Sequence, residues 1–283
     1  MKAVVKRIGN EIAVSCTVHR QQAKIRKPKN PSNERTSQSI AAAKSRINEI
    51  VECNDWQWTA TFEFSPKTLR ALGGDDTAIK KVKQWFANLK KRVPGFEHLS
   101  WLVVPEPHSD RRRKLHLHGF LSGIPSSALI AWSNMRGRKP AAIRARLKAG
   151  DAVYNWTTYQ DKFGFCLLVK VNGVDDAKDS KSKWKNYITK SLQDSARYQK
   201  SGQSLYYCSR GLQRAEVVTK GNITTAAEEY VKSHAKKTYA HRAEPGAPIY
   251  GYTYIFNDNA DQTQKIEKII IHENQNKSDN VAK

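Results

Sequence analysis

The segment Leu115-His116-Leu117-His118-Gly119-Phe120 carries two imidazoles at alternate positions. In an extended chain, a period of two puts His116 and His118 on one face and Leu115, Leu117 and Leu121 on the other. Two imidazoles about 7 Å apart along a strand can converge on a divalent cation when a neighbouring strand supplies a third donor. Glu106, near the end of the preceding apolar run, is placed to be that donor. Taken alone, a His-x-His on a strand is more often a hydrogen-bonded surface or core feature than a metal site. The carboxylate across the hairpin tips the balance toward ligation.

Tyr187-Ile188-Thr189-Lys190 offers a nucleophile, because a three-residue step on a helix puts phenol and ammonium on one face. The chain holds 11 tyrosines. In a lysine-rich sequence the spacing is expected by chance about once, and Tyr159-Gln160-Asp161-Lys162 is indeed a second copy. The second copy lies just before Gly164 and an apolar strand, in a loop context. Tyr187 follows the last strand and can swing over the face bearing His116 and His118, so it is the preferred nucleophile. For either tyrosine the competing reading is an ordinary amphipathic surface residue.

The elements that must position these residues are legible as periodicities. Trp56, Trp58, Ala60, Phe62 and Phe64 alternate with Gln57, Thr59, Thr61 and Glu63, which predicts a strand. Ile79, Val82, Phe86 and Leu89 form a helical stripe behind a cap at Asp75 or Asp76, ended by Pro94-Gly95. Leu99 to Glu106 and Leu115 to Ser122 read as a hairpin with a long Arg-rich connection. A helical stretch follows at Ser127 to Lys148, then an apolar strand at Phe163 to Val171 and a helix at Lys181 to Lys200. This order predicts an α+β fold of split βαβ type, ferredoxin- or RRM-like. Its antiparallel sheet has a central third strand, helices over one face and the site on the open face.

Residues 1–36 are expected to form a strand pair around Gly9-Asn10 followed by a basic linker. Ile40, Ala43, Ile47 and Ile50 predict a helix leading into a main domain of residues 37–256, with a helix at Thr224 to Ser233 and a strand at Ile249 to Phe256 late in it. Residues 257–283 are polar with one ambiguous Ile-rich patch and are expected to fray.

The 283 residues include 49 Lys+Arg and 26 Asp+Glu, a formal charge of +23. That excess is an electrostatic footprint for a polyanion, and with no amphipathic membrane helix in view nucleic acid is the expected partner. Arg111, Arg112 and Arg113 in the hairpin connection, and Arg136, Arg138, Lys139, Arg144, Arg146 and Lys148 beyond it, lack interleaved acids. Such a block is usually a solvated face; beside a phosphate-cleaving site it reads as a DNA-backbone surface. Trp132, Trp156 and Tyr159 nearby either stack on bases or fill the core. The four cysteines show no CxxC spacing and are expected to be reduced thiols. The longest apolar run, Phe163 to Val169, is too short to span a bilayer, and Lys6 and Arg7 interrupt the start too early for a signal peptide. A soluble, cytoplasmic protein is expected.

In order and context these motifs resemble the HUH endonucleases, specifically the single-tyrosine rolling-circle replication initiators of phages and plasmids. Trp58-Thr59-Ala60-Thr61-Phe62 looks like the first motif, with Ala60 where Leu is usual. Glu106 with His116-Leu117-His118-Gly119 is similar to the second, Tyr187-Ile188-Thr189-Lys190 to the third, and Ser209-Arg210-Gly211-Leu212 to a downstream signature. The resemblance covers roughly residues 37–256. It implies nicking of single-stranded DNA at an origin hairpin, a covalent 5′-phosphotyrosine on Tyr187 and a free 3′-hydroxyl that primes synthesis. It further implies Thr59 and Thr61 at the DNA, and Glu106, His116 and His118 around Mg²⁺ or Mn²⁺. By softness, mixed imidazole and carboxylate ligands suit Mn²⁺ or Zn²⁺, while Mg²⁺ suits the physiological setting. Lys190 either holds a phosphate oxygen or the metal-side geometry, or helps deprotonate Tyr187.

Tyr198 returns to the same helix face but about 16 Å further along the axis, so a one-tyrosine mechanism is expected. No GxxxxGK[ST] occurs, which makes a host helicase and polymerase the expected partners in a bacterial cytoplasm. The rival readings are a transposase or relaxase using the same chemistry, and a non-catalytic RNA-binding module, whose central strands would carry aromatic rings. The oligomeric state is left open.

Overall fold

Alternation and helical stripes condense into the elements of two compact units, Asn33–Leu212 and Met1–Ser32 with Gln213–Lys283, in the computed structural model. The structure describes residues 2–17, 37–107, 115–171, 177–190, 192, 195–196, 203–242 and 249–278. A hairpin of β1 (Lys2–Ile8) and β2 (Glu11–Thr17) opens the chain and turns at Gly9, whose φ of 59° suits glycine. Helix α1 (Ser37–Cys53), strand β3 (Trp58–Glu63) and helices α2 (Pro66–Ala71) and α3 (Asp75–Arg92) follow. Asp75 and Asp76 sit in the first turn of α3 and Lys90, Lys91 and Arg92 in its last, matching the helix dipole. The N-cap itself is Gly74, not either aspartate.

Strands β4 (Ser100–Pro107) and β5 (Leu115–Ser122) form the expected hairpin. The predicted helix at Ser127 to Lys148 is instead two 3-10 turns around strand β6 (Leu129–Ala131), then a shorter helix α4 (Ala141–Lys148). Gly137, at a φ of 91°, and Pro140 break the helical run, and Leu129 to Ala131 find ladder partners in β7 (Val153–Trp156). Helix α5 (Thr157–Lys162) precedes β8 (Cys166–Lys170), which starts later than predicted. Gly164 turns there at a φ of 140°, and a Cβ on it would lie 2.5 Å from the Ser65 nitrogen. Helix α6 (Ala177–Lys190) and the two-residue strand β9 (Tyr207–Cys208) complete this unit.

Its seven strands run β6-β7-β8-β3-β5-β4-β9, every pair antiparallel. The fold is α+β, and β5, the third strand of the predicted motif, lies between β3 and β4. One face is apolar throughout. Trp58, Ala60 and Phe62 of β3, Trp101 and Val103 of β4, Leu115, Leu117 and Leu121 of β5, and Cys166 and Leu168 of β8 close on the α3 stripe and on Tyr159 of α5.

The second face is not the open one expected, and the helices do not share one side. Leu102, Val104 and Phe120 lie under α1 and the α6 segment through Ile47, Ile50, Val51, Ile188 and Leu192. Leu167 and Val169 meet Ile143 and Leu147 of α4. The same period that aims polar residues to this face also aims apolar ones there at both ends of the sheet, and α1 and α4 each have a stripe to bury. Trp56, predicted to share a face with Trp58, joins the α1 cluster instead. Thr59, Thr61, Glu63, Glu106, His116 and His118 occupy the strip between the two coverings.

The second unit places β1 and β2 in a five-stranded antiparallel sheet with β10 (Glu216–Asn222), β11 (Lys237–Arg242) and β12 (Ile249–Asn257), in the order β10-β1-β2-β12-β11. Helices α7 (Thr225–His234) and α8 (Ala260–Ser278) pack on one face, through Val231, Ile266 and Ile270 against Val5, Val14 and Tyr254. The predicted boundary at 36/37 lies within four residues of the start of the first unit at Asn33, while the one at 256/257 does not follow the units, because the chain from Gln213 onward belongs with the N-terminal hairpin. Nor is residue 257 onward a frayed tail, because Ile266 and Ile270 fall one helical turn apart and bury. Residues 18–36, the predicted linker, lie outside the described residues.

All four cysteines are free thiols, and burial pushes the Cys16 thiol up to about 12. Among the described residues, no helix is long and apolar enough to cross a membrane.

Candidate functional site

The register of three strands assembles the site. On β5, His118 stands opposite Thr61 of β3 and Val104 of β4, and His116 stands opposite Glu63 and Glu106. His116 is thus flanked by a carboxylate on each neighbouring strand. His118 Nε2 lies 3.1 Å from Glu106 Oε2, and His116 Nε2 lies 3.9 Å from Glu63 Oε1. The two imidazole centroids are 5.9 Å apart. Both rings are buried, while the Glu63 and Glu106 side chains stay 32% and 21% exposed, with the Glu106 Oε2 that faces His118 itself enclosed.

Thr61 Oγ1 lies 3.1 Å from His118 Nδ1. With the His118 proton on Nε2, toward Glu106, the Thr61 hydroxyl donates to Nδ1. The hydroxyl can also accept, so it would serve equally the tautomer that frees Nε2 for a cation.

Helix α6 brings the phenol. Ile188 anchors it on α1, and Glu52 of α1 sits 3.8 Å from Lys181 Nζ and 2.5 Å from Lys185 Nζ, one helical turn apart. The Trp184 indole N–H donates to the Gly119 carbonyl at 2.8 Å. Gly119 admits no side chain, since a Cβ there would lie 1.9 Å from the Leu102 carbonyl oxygen. Trp184 stacks on Tyr187 with centroids 5.0 Å apart and meets His118 edge-on at 5.6 Å. Tyr187 itself stands T-shaped to His118 at 5.3 Å. Partial burial first and then the Glu106 charge raise the phenol above its ordinary 10.0. Tyr187 is still 45% exposed, and Lys190, three residues on, is exposed at the end of the helix.

The structure therefore brings Tyr187, Glu106, His116 and His118 together. Tyr159 goes elsewhere: it is fully buried against Phe62, with ring centroids 4.5 Å apart, and burial drives its phenol well above the ordinary value. Trp132 and Trp156 are core residues as well. Thr59 is buried, with its hydroxyl on the Val169 carbonyl at 3.4 Å. Ser209 extends the sheet edge, its backbone N–H donating to Trp101 O and its hydroxyl accepting from Trp101 N.

Arg136, Arg138, Arg144 and Lys148 are exposed on and before α4. Lys139 is tied to the Met135 carbonyl at 2.9 Å, and Arg146 pairs with Asp151 at 3.1 Å. Arg111, Arg112, Arg113 and Tyr198 lie outside the described residues.

Two residues of the cluster were not singled out from sequence. Glu63 shares the polar parity of Thr59 and Thr61, which was the available signal. Trp184 precedes Tyr187 by the same three-residue step that links Tyr187 to Lys190. As a donor set, His116, His118, Glu106 and Glu63 match in kind a divalent cation that takes mixed nitrogen and oxygen ligands. Among the described residues, no three His, Cys, Asp or Glu side chains are already drawn into ligand geometry; the imidazoles and carboxylates stand in pairs instead, 3.1 and 3.9 Å apart. The chain matches no protein-family model, no curated protein and no solved structure.

Proposed function

We propose that this chain is a metal-dependent, site-specific single-strand DNA nickase and strand transferase, a rolling-circle replication initiator of HUH type with Tyr187 as nucleophile. The observation that carries the reading is the meeting of Tyr187 with His118 and Glu106, from elements far apart in sequence, on one face of the sheet.

The Tyr187 phenol oxygen attacks the scissile phosphorus as the P–O3′ bond breaks. The phenol gives up one proton and the departing 3′ oxygen takes one up, so the exchange is proton-neutral and leaves a 5′-phosphotyrosine and a free 3′-hydroxyl. Glu106, whose negative charge acts on the phenol, takes up the first proton. Glu106, His116 and His118, with Glu63 beside His116, would hold Mg²⁺ or Mn²⁺, whose contribution when bound is to polarise the phosphate oxygens. Thr61 and Trp184 keep His118 and Tyr187 in place. Lys190 supplies positive charge near the phenol for a phosphate oxygen.

Exposed Arg136, Arg138 and Arg144, with Arg146 and Lys139 beside them, supply charge for the DNA backbone. Single-stranded DNA at an origin hairpin, a host helicase and polymerase, and a bacterial cytoplasm complete the proposal. Incubation with a pool of labelled hairpin oligonucleotides and Mn²⁺, resolved on a denaturing gel, tests it. A retarded covalent band is expected, lost in Tyr187→Phe and in EDTA. A band of equal intensity from Tyr187→Phe overturns the reading.

A further inference from the structure

The five-stranded sheet of the second unit has a face that α7 and α8 leave alone. Those helices bury the parity of Ala3, Val5, Ile12, Val14, Cys16, Tyr254 and Phe256. The registers place the opposite parity in rows. One runs Lys220, Val4, Ser15, Thr253, Tyr239, and the next runs Val217, Lys6, Ala13, Ile255, Lys237. A third row brings Lys2 beside Thr17 and Gly251. Among the described residues of this unit, no helix packs over these rows.

The centre of this face, on β2 and β12, is mostly small: Ala13, Ser15, Thr17, Gly251 and Thr253. Ser15 and Thr253 bond hydroxyl to hydroxyl at 2.9 Å. The long side chains stand at the sides. Lys220, Lys2 and Lys6 lie on β10 and β1, and Lys237 and Tyr239 on β11; Lys2, Lys220 and Lys237 are exposed, and Tyr239 is 53% exposed. Glu11 is the acidic residue of the same parity on β2, at the end of the strand and 4.0 Å from Lys236. Strand spacing puts β1 and β11 about 14 Å apart. The result is a shallow floor of mostly small residues, with Ile255 in it and Ala13 buried, flanked by Lys2, Lys6 and Lys220 on one side and by Lys237 and the half-exposed Tyr239 ring on the other.

We propose that this trough binds the phosphate backbone of single-stranded nucleic acid, as a second contact surface distinct from the His116–His118 cluster. Charge complementarity selects a polyanion. The exposed Tyr239 ring selects a single strand, because only unpaired bases present a face for it to stack on. The trough would hold a strand whether or not the other unit cleaves one.

The test is fluorescence anisotropy of a labelled oligothymidylate with the full chain in EDTA, across a range of salt. The triple variant Lys2→Glu, Lys220→Glu, Lys237→Glu is compared with a charge-matched triple on the helical side, Lys232→Glu, Lys265→Glu, Lys268→Glu. All six lysines are exposed, and a thermal melt confirms that each variant folds; the corresponding Lys→Gln triples replace any that does not. The trough triple is expected to weaken binding at least about tenfold and to flatten the log–log salt slope by about 2, the helical triple to stay within about threefold. Tyr239→Ala is expected to weaken binding at unchanged slope. Equal losses from both triples, or no loss from the trough triple, overturn the site. Tighter binding of a duplex of the same length, with Tyr239→Ala silent, overturns the single-strand assignment.

Discussion

The two faces of the seven-stranded sheet are built from the same strands at opposite parity, yet they are made for different ends. On the first, Trp58, Phe62, Trp101, Leu117 and Leu168 meet the α3 stripe in one continuous apolar layer. Phe62 touches both Phe86, at 5.9 Å, and Tyr159, at 4.5 Å between centroids. On the second, apolar packing is confined to two ends, under α1 with the α6 segment and under α4, and the strip between holds imidazoles and carboxylates. Buried polar and ionisable groups cost stability unless each finds a partner, and here carboxylates stand beside the imidazoles at 3.1 and 3.9 Å. One face carries enough apolar burial for the other to hold a cluster that a pure core would replace with leucines.

Substituting neighbours on β3 separates the faces most sharply. Phe62→Ala opens a cavity in the apolar layer and is expected to cost about 3–5 kcal/mol of unfolding free energy in a denaturant titration. Thr61→Val, one residue away and pointing the other way, is expected to cost about 1–2 kcal/mol, through the lost hydrogen bond to His118. Equal losses from the two would mean that the polar strip carries as much stability as the aromatic layer, and would break the comparison.

A smaller effect sharpens it. Glu106 raises the Tyr187 phenol through its charge, on top of burial. Removing the charge in Glu106→Gln favours the phenolate, so the Tyr187 titration is expected to move down toward its ordinary value without reaching it. Ultraviolet difference titration against Tyr187→Phe, which isolates this phenol, reads the shift. An unmoved titration would mean that the phenol does not feel Glu106.

The contrast also explains what could be read in advance. The alternation of Leu115, Leu117 and Leu121 with His116 and His118 settles which way the imidazoles point, because the period of a strand is local. Tyr187 could be preferred over Tyr159 because its helix follows the sheet, and the structure leaves Tyr159 in the core. Glu63 was harder: its place beside His116 depends on the β3–β5 register, a pairing across more than fifty residues that no local pattern encodes. The covering of the second face was hidden for a similar reason. The stripe of α1 shows that it must bury against something, not against which side of the sheet. In the second unit, β1 pairs with β10 over some two hundred residues, so the N-terminal hairpin reads as a preface until its partner strand is known. Ile266, Ile269, Ile270 and Ile271 form a patch too short for its periodicity to separate helix from strand, so it did not announce α8.

The central claim is that Tyr187 becomes covalently bound to DNA at the His118–Glu106 cluster. The most direct measurement is mass spectrometry of the proteolysed reaction with a cleavable oligonucleotide and Mn²⁺. The account predicts a nucleotide adduct on the peptide containing Tyr187, absent when His118→Ala is used. An adduct on Tyr159 or another residue, or cleavage with no adduct at all, would contradict it.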